Sequence, residues 1–285
     1  MPLLNRLAFH LATIVVVVLA GGFIAAALVR YSPGFDSIPE DLNTALSPAT
    51  LQALHAQRNS ENSLPVFYAR YLTRAVHGDL GVSQSLGQPV SAILRQRAPV
   101  TARLVLWGTL GAWVFSAGLA WMAVWTRVAP LKAVAASASG LLLAIPPAVL
   151  GLAFFFYQAP LGLALSLGLL PRLFGTLRAV LADCYTSPVL LAARSRGIRP
   201  AAVAARYVLR TAAPQLTALL GIAFVLAFGL AVPIEALCGV PGMGALTIQA
   251  ATSRDMPLLC ALALIITCFV TLVHAIGDIA IGETA

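Results

Sequence analysis

Residues Leu191–Gln215 read LAARSRGIRPAAVAARYVLRTAAPQ and carry five arginines, Arg194, Arg196, Arg199, Arg206 and Arg210, between two long apolar segments. An arginine at the centre of a bilayer costs about 2.5–3.5 kcal/mol on insertion scales, so this stretch must lie outside the hydrocarbon while its flanks lie within it. Arginine-rich loops are mostly the cytoplasmic ones. The stretch is also patterned as structure rather than as a tether. Gly197 suits a helix C-terminus and Pro200 the first turn of the next helix. In that second helix Arg206 and Arg210 stand four apart on one face, and Ala201, Ala202, Ala204 and Ala205 keep the profile slim. A short helical elbow at the membrane's inner face is a shape suited to touching a partner.

The rest of the composition agrees with a membrane-embedded chain. Of 285 residues, 60% are hydrophobic and only 10% charged, and the mean hydropathy is +0.90. The formal charge of +8 comes almost wholly from arginines that flank apolar spans. That distribution fits topology-setting inner loops and argues against a nucleic-acid partner. Cys184, Cys238, Cys260 and Cys268 have neither CxxC nor metal-ligand spacing and read as small buried hydrophobes. The sole lysine, Lys132, follows Pro130-Leu131, so the chain has no GxxxxGK[ST] phosphate loop. HExxH, GxSxG and closely paired intramembrane carboxylates are missing too. Neither a catalytic centre nor a cofactor or metal is expected.

Hydropathy along the chain predicts six spans in an all-α integral membrane protein. Phe9–Val29 is the first, longer than the roughly 7–15-residue core of a signal peptide and therefore read as uncleaved. Tyr31 to about Val100 is polar and proline-punctuated, with helical patterns at Pro48–Arg58 and Val66–Val76, the latter setting Phe67, Tyr71 and Arg74 at helical spacing. The second span is Leu104–Trp125. The third, Ala133–Tyr157, should kink or break at Pro146-Pro147. The fourth, about Leu161–Leu181, contains Pro171, Arg172 and Arg178, so its inner end should leave the hydrocarbon early or face protein. The fifth is Leu216–Leu237, closed by Glu235; Gly239–Asp255 reads as a loop; the sixth is Met256–Ala275. An inside N-terminus puts Thr126–Lys132 and the arginine elbow on the cytoplasmic side, and residues 31–100 on the other.

Four stretches, in order, resemble a known family: the permease subunits of bacterial ABC importers for dipeptides, oligopeptides and nickel. They are Ser32-Pro33-Gly34 after the first span; Phe67–Leu72 with His77-Gly78-Asp79-Leu80-Gly81-Val82-Ser83 and Gln88-Pro89-Val90 before the second; Ala193-Arg194-Ser195-Arg196-Gly197-Ile198 with Arg206 and Leu209-Arg210; and Glu235 with Val240-Pro241-Gly242-Met243-Gly244. The chain departs from the family at Leu191, where the general loop motif has Glu, at the position of Pro214, in a short segment between the third and fourth spans, and in a C-terminus without Asp-Pro-Arg.

The resemblance implies a division into a cytoplasmic N-terminus with the first helix (1–30), a periplasmic segment (31–100), and a core permease domain (101–285). That domain carries a cytoplasmic coupling helix between helices four and five, in a loop of about 188–212. It further implies a bacterial inner-membrane protein with both termini cytoplasmic, working with a second permease subunit in a heterodimer, two ABC ATPase subunits, a solute-binding protein and the surrounding lipid. Ala193, Arg194, Arg196, Gly197, Ile198, Pro200, Arg206 and Arg210 are the expected ATPase-coupling residues. Glu235, Pro241, Gly242, Gly244, Gly78, Asp79 and Gly81 form the expected outer gate motifs. There Glu235 either lines the pathway or braces the Pro241–Gly244 turn through backbone amides, with glycine supplying positive φ angles, while Asp79 caps its own turn. A repurposed exporter or scaffold, or a stand-alone secondary transporter, are the alternative readings.

Overall fold

A computed structural model describes residues 3–31, 64–125, 129–188, 195–196, 203 and 208–282. Among them the regular structure is helical, joined by turns and one isolated antiparallel bridge, Val82 with Pro89. The helices are α1 (Leu3–Arg30), α2 (Leu64–Val76), α3 (Val90–Trp125), α4 (Ala129–Ala144), α5 (Pro147–Phe156), α6 (Leu161–Thr186), α7 (Leu209–Leu237), α8 (Met243–Thr252) and α9 (Met256–Gly282). Five contain stretches long and apolar enough to cross a bilayer: Leu11–Arg30, Val90–Val124, Leu161–Cys184, Thr211–Leu237 and Met256–Gly277. Ser137–Ala144 and Pro147–Phe156 pass the same test together, bent by 87° at the break, and bring the total to six if they form one span. The break falls where the sequence places it, because Pro146 and Pro147 deny two amide donors to the turn before them.

Helix and span are different things in this chain, and two expectations need adjusting for that reason. Helix α3 begins at Val90, fourteen residues before the expected span. Its first turns bury Ile93 and Leu94 while Arg95 and Arg103 stay exposed, so the polar residues mark an exposed face of helix rather than its absence. Helix α6 runs unbroken through Pro171 to Thr186. Its arginines escape sideways: Leu165, Leu169, Leu173 and Leu177 fill one buried face at four-residue spacing, while Arg172 and Arg178 lie on the exposed one. The segment expected to be a loop, Gly239–Asp255, contains α8, for reasons given below.

The described chain divides into two compact units. The larger, Pro99–Ala245 with Leu272–Ala285, packs around α6, whose leucines meet small residues of α3 and α7 in one core: Ala112 and Ala120 on the first, Ala223, Ala227 and Ala231 on the second. Glycine sets the helix separation there. A Cβ on Gly108 would collide with Leu165, and one on Gly111 with the Ser166 hydroxyl. That hydroxyl donates to the carbonyls of Gly108 at 2.9 Å and Gly162 at 2.8 Å. Helices in lipid gain little from burying leucine and instead associate through close backbone approach and such bonds.

In the smaller unit, Met1–Ala98 with Leu246–Thr271, α2 lies against α1. The Tyr68 hydroxyl donates to the Leu19 carbonyl at 2.8 Å, and its ring meets Phe23 edge-on at 5.7 Å. Gly21 and Gly22 leave no room for a Cβ beside Thr267, Tyr68 and Leu264.

Candidate functional site

Three groups of residues singled out in the sequence can be followed. The first is Glu235 and the Pro241–Gly244 turn in the larger unit. Helix α7 ends on a left-handed glycine, Gly239 (φ 65°), with the Val240 amide donating back to the Glu235 carbonyl at 2.9 Å. This reversal returns the chain over the Glu235 side chain, which is fully buried. Its Oε2 accepts the Gly244 amide at 2.7 Å and the Ala245 amide at 3.4 Å. Those amides belong to the first turn of α8, where N–H groups have no partner within the helix. A carboxyl group from the preceding helix thus caps α8, and this capping explains a helix where composition suggested a loop. The Met243 amide is taken by the buried Thr101 hydroxyl at 2.7 Å.

The glycines of this turn have a different role from the one the sequence suggested. Positive φ occurs at Gly239, whereas Gly242 and Gly244 lie outside the left-handed region. Their side chains are excluded by space: a Cβ on Gly242 would strike the Glu235 carboxyl, and one on Gly244 the Val232 backbone and that same carboxyl. Glu235 Oε1 is buried without a hydrogen-bond partner among the described residues.

The second group is the turn after α2 in the smaller unit. Gly78 and Gly81 both adopt positive φ (83° and 77°), and Asp79 Oδ1 accepts the Gly81 amide at 2.9 Å. The chain then closes on itself through Ser83 N–H to Gln88 O (2.9 Å) and Val90 N–H to Gly81 O (3.0 Å). A residue that the sequence reading missed anchors this loop. Asp255 is fully buried, and its Oδ2 accepts the Ser83 hydroxyl at 2.5 Å, the Ser85 amide at 3.0 Å and the Ser85 hydroxyl at 2.8 Å. Its Oδ1 accepts the Leu258 amide at 3.2 Å and so caps α9. Burial alone would raise the Asp255 pKa, but the bonds from Ser83, Ser85 and Leu258 outweigh it and hold the carboxyl below its ordinary 3.8. An aspartate directly before an apolar run is a helix-start signal, and it was available at Asp255-Met256-Pro257. Its long-range serine partners were not.

Next to this loop, α2 presents Phe67, Arg70, Tyr71 and Arg74 to a cavity of about 400 Å³, closed on other sides by Asp79, Val82 and Pro257. Burial, then Cys260, Tyr68 and Asp79, push the Tyr71 phenol above its usual range, so it remains a donor.

The third group is the arginine elbow. Ala193, Arg194, Gly197, Ile198, Pro200 and Arg206 lie outside the described residues. Arg196 is exposed in a turn following Ser195, and Arg210 lies in the first turn of α7. The cysteines are free thiols, with Cys184, Cys238 and Cys260 buried and Cys268 exposed. Among the described residues no group of three or more His, Cys, Asp or Glu is placed to hold a metal ion.

Comparison with known proteins places this helical arrangement. The chain is 28% identical over 284 residues to a protein of Brucella suis biovar 1 that carries the name peptide permease protein, covering 89% of each. It is 24% identical over 296 residues to the nickel import system permease protein NikB of Staphylococcus aureus, covering 98% of this chain and 90% of that one. Among solved structures it resembles a chain of the MetNI methionine ABC transporter in an inward-facing conformation. That match has a TM-score of 0.61 at 16% identity over 68% of this chain and 96% of the other, a likeness of fold. Residues 118–282, more than half of the chain and the stretch running from α3 to the end of α9, match the family model itself, and the protein therefore belongs to the binding-protein-dependent transport system inner membrane components.

Proposed function

We propose that this chain is a permease subunit of an ATP-driven importer for peptides or a similar small solute, moved by partner ATPases rather than by chemistry of its own. A second permease completes the pathway, and a solute-binding protein delivers the cargo on the face that carries residues 31–100. Residues 188–212 dock on an ATPase through Ala193–Ile198, Pro200, Arg206 and Arg210. Nucleotide-driven closure of the ATPases tilts the spans and alternates access, a two-state element biased from outside.

The observation that carries this reading is the family match over residues 118–282, a stretch that contains the arginine elbow and the Glu235 turn. The elbow's arginines suit the acidic rim of a partner groove or lipid phosphates. Glu235 with Pro241, Gly242 and Gly244 forms a rigid corner at the end of α7, and a rigid corner transmits a helix tilt where a floppy loop would absorb it. Gly78, Asp79 and Gly81 build the loop offered to the binding protein.

The decisive experiment is reconstitution with the ATPases and the second permease in proteoliposomes. ATP-dependent uptake that an Arg206→Glu variant loses, while the variant still assembles with its partners, supports the coupling role. Uptake by this chain alone, without a nucleotide-hydrolysing partner, refutes the reading, and normal ATP-driven uptake by the variant removes Arg206 from the coupling surface.

A further inference from the structure

Helix α2 carries two cations that neither the packing of the spans nor the coupling loop uses. Its buried face is set by Leu64, Tyr68 and Tyr71. The other side bears Val66, Ala69, Arg70, Thr73 and Arg74, all exposed and none acidic. Arg70 and Arg74 stand four apart, so their guanidinium groups rise from one stripe of the helix. Neither has an ion-pair partner among the described residues.

The depth of α2 decides what surrounds that stripe. Tyr68 donates to the carbonyl of Leu19, eleven residues before the span ends at Arg30. A Cβ on Gly22 would meet both the Tyr68 hydroxyl and Leu264, the latter eight residues inside the start of α9. At 1.5 Å per residue, α1 and α9 each put that hydroxyl about 12–16 Å in from their ends. Beyond α2, Gly81 faces Pro257 at the very start of α9. Helix α2 therefore climbs from apolar depth to the ends of the spans, and its two arginines leave it on the side turned away from α1 and α9. An arginine so placed lays its stem along apolar surface and carries its charge to the headgroup layer.

The local charge selects the headgroup. Asp79 lines the same cavity as Arg74 and is held by the Gly81 amide. Two cations and one carboxylate leave a single positive charge, which one phosphodiester neutralises, and two planar forks side by side suit its two free oxygens. The cavity of about 400 Å³ beside Phe67, Arg70, Arg74 and Pro257 gives the headgroup room. A soluble partner would have to reach below the span ends to meet these groups, whereas lipid is already at that level.

We propose that the exposed face of α2 binds an anionic phospholipid, whose phosphodiester lies between Arg70 and Arg74. Such binding requires only that the chain sit in a membrane and is independent of the transport reading.

The test is hydrogen exchange on the full-length chain in nanodiscs of phosphatidylcholine, alone or mixed with phosphatidylglycerol, measured on peptides from residues 64–77. Two arginines at an anionic surface should slow exchange there at least about tenfold in the mixed lipid. Arg70→Gln with Arg74→Gln should abolish that gain while matching the parent in phosphatidylcholine alone. Arg95→Gln, on the exposed start of α3, should keep the gain. Equal exchange of the parent in the two lipids overturns the proposal, as does a gain that survives in the double variant. A gain lost in Arg95→Gln overturns it too, since that is general attraction to a charged surface. So does an equal gain from excess inorganic phosphate in phosphatidylcholine nanodiscs, which marks a site for a free anion. Faster exchange of the double variant in phosphatidylcholine alone makes the arginines braces of α2 and equally ends the lipid assignment.

Discussion

Asp255 gives the sharpest handle on the loop before α3, because four donors converge on one buried carboxylate. Hydrogen bonds to a charged partner contribute about 1.5–3 kcal/mol each, and they do not add. Asp255→Ala strands the Ser83 and Ser85 hydroxyls and the Ser85 and Leu258 amides together. The free energy for local opening of residues 81–90 should then fall by about 3–5 kcal/mol. At about 1.4 kcal/mol per decade, that accelerates amide exchange in this loop by roughly 100- to 4,000-fold. Asp255→Asn keeps one carbonyl acceptor and turns an NH₂ toward the remaining donors, so its effect should be about half as large in free energy. Hydrogen exchange read by mass spectrometry on the chain in nanodiscs measures both, with a buried peptide from α6 as the unaffected control.

The pH dependence has a definite sign. The folded carboxyl titrates below 3.8, so the folded state holds fewer protons than the opened one between the two values. The stabilisation is therefore complete above about pH 4 and fades as pH falls through the lower, folded value. The difference in protection between the parent and Asp255→Asn should follow that course. An increase of less than about tenfold in the loop for Asp255→Ala, or protection lost on raising rather than lowering pH, would refute the reasoning.

At the end of α7, Gly242→Ala drives a methyl group into the Glu235 carboxyl and should cost about 1–3 kcal/mol; combined with Glu235→Ala the two costs should fall short of their sum by at least about 1 kcal/mol in a double-mutant cycle of thermal unfolding, and strict additivity would show that the two groups do not meet. Gly108→Val pushes α3 off Leu165 and breaks the approach that lets the Ser166 hydroxyl reach the Gly108 carbonyl; loss of about 2 kcal/mol or more, read as a lower unfolding midpoint in detergent, is expected, and an unchanged midpoint contradicts close packing there. Tyr68→Phe deletes the bond to the Leu19 carbonyl and should cost about 1 kcal/mol, visible as faster protease cleavage after Arg70 and Arg74 with cleavage elsewhere unaltered.

What the sequence made legible follows from where its signals are local. Apolar length marked the spans, and Pro146-Pro147 marked the 87° break, because a missing amide acts within one turn. Glu235 and the turn after it were named together from the family resemblance, and in the structure the carboxyl accepts the Gly244 amide. The errors came from reading polarity as an end of structure. Arg95 and Arg103 did not stop α3, since an exposed helix face accommodates them. Helix α8 was hidden because its cap comes from outside its own sequence. Ser83 and Ser85 were invisible as partners of Asp255 because some 170 residues separate them.

These features share one physical cause. A chain whose surroundings are as apolar as its core cannot choose a shape by hiding leucine, so its geometry must be set by contacts that lipid cannot imitate. The buried polar residues are few, and each of those followed here joins one backbone segment to another: Ser116 to Leu170 and Ser166 to Gly108 across helices, Thr101 to Met243, Glu235 to α8, and Asp255 to the loop at Ser83–Ser85. Among the described residues the two buried carboxyl groups both sit at helix boundaries, where free amides satisfy them and where a turn needs fixing. Corners of this kind join long apolar helices. Fixed corners are what the proposed role, a permease moved by partner ATPases, would call for.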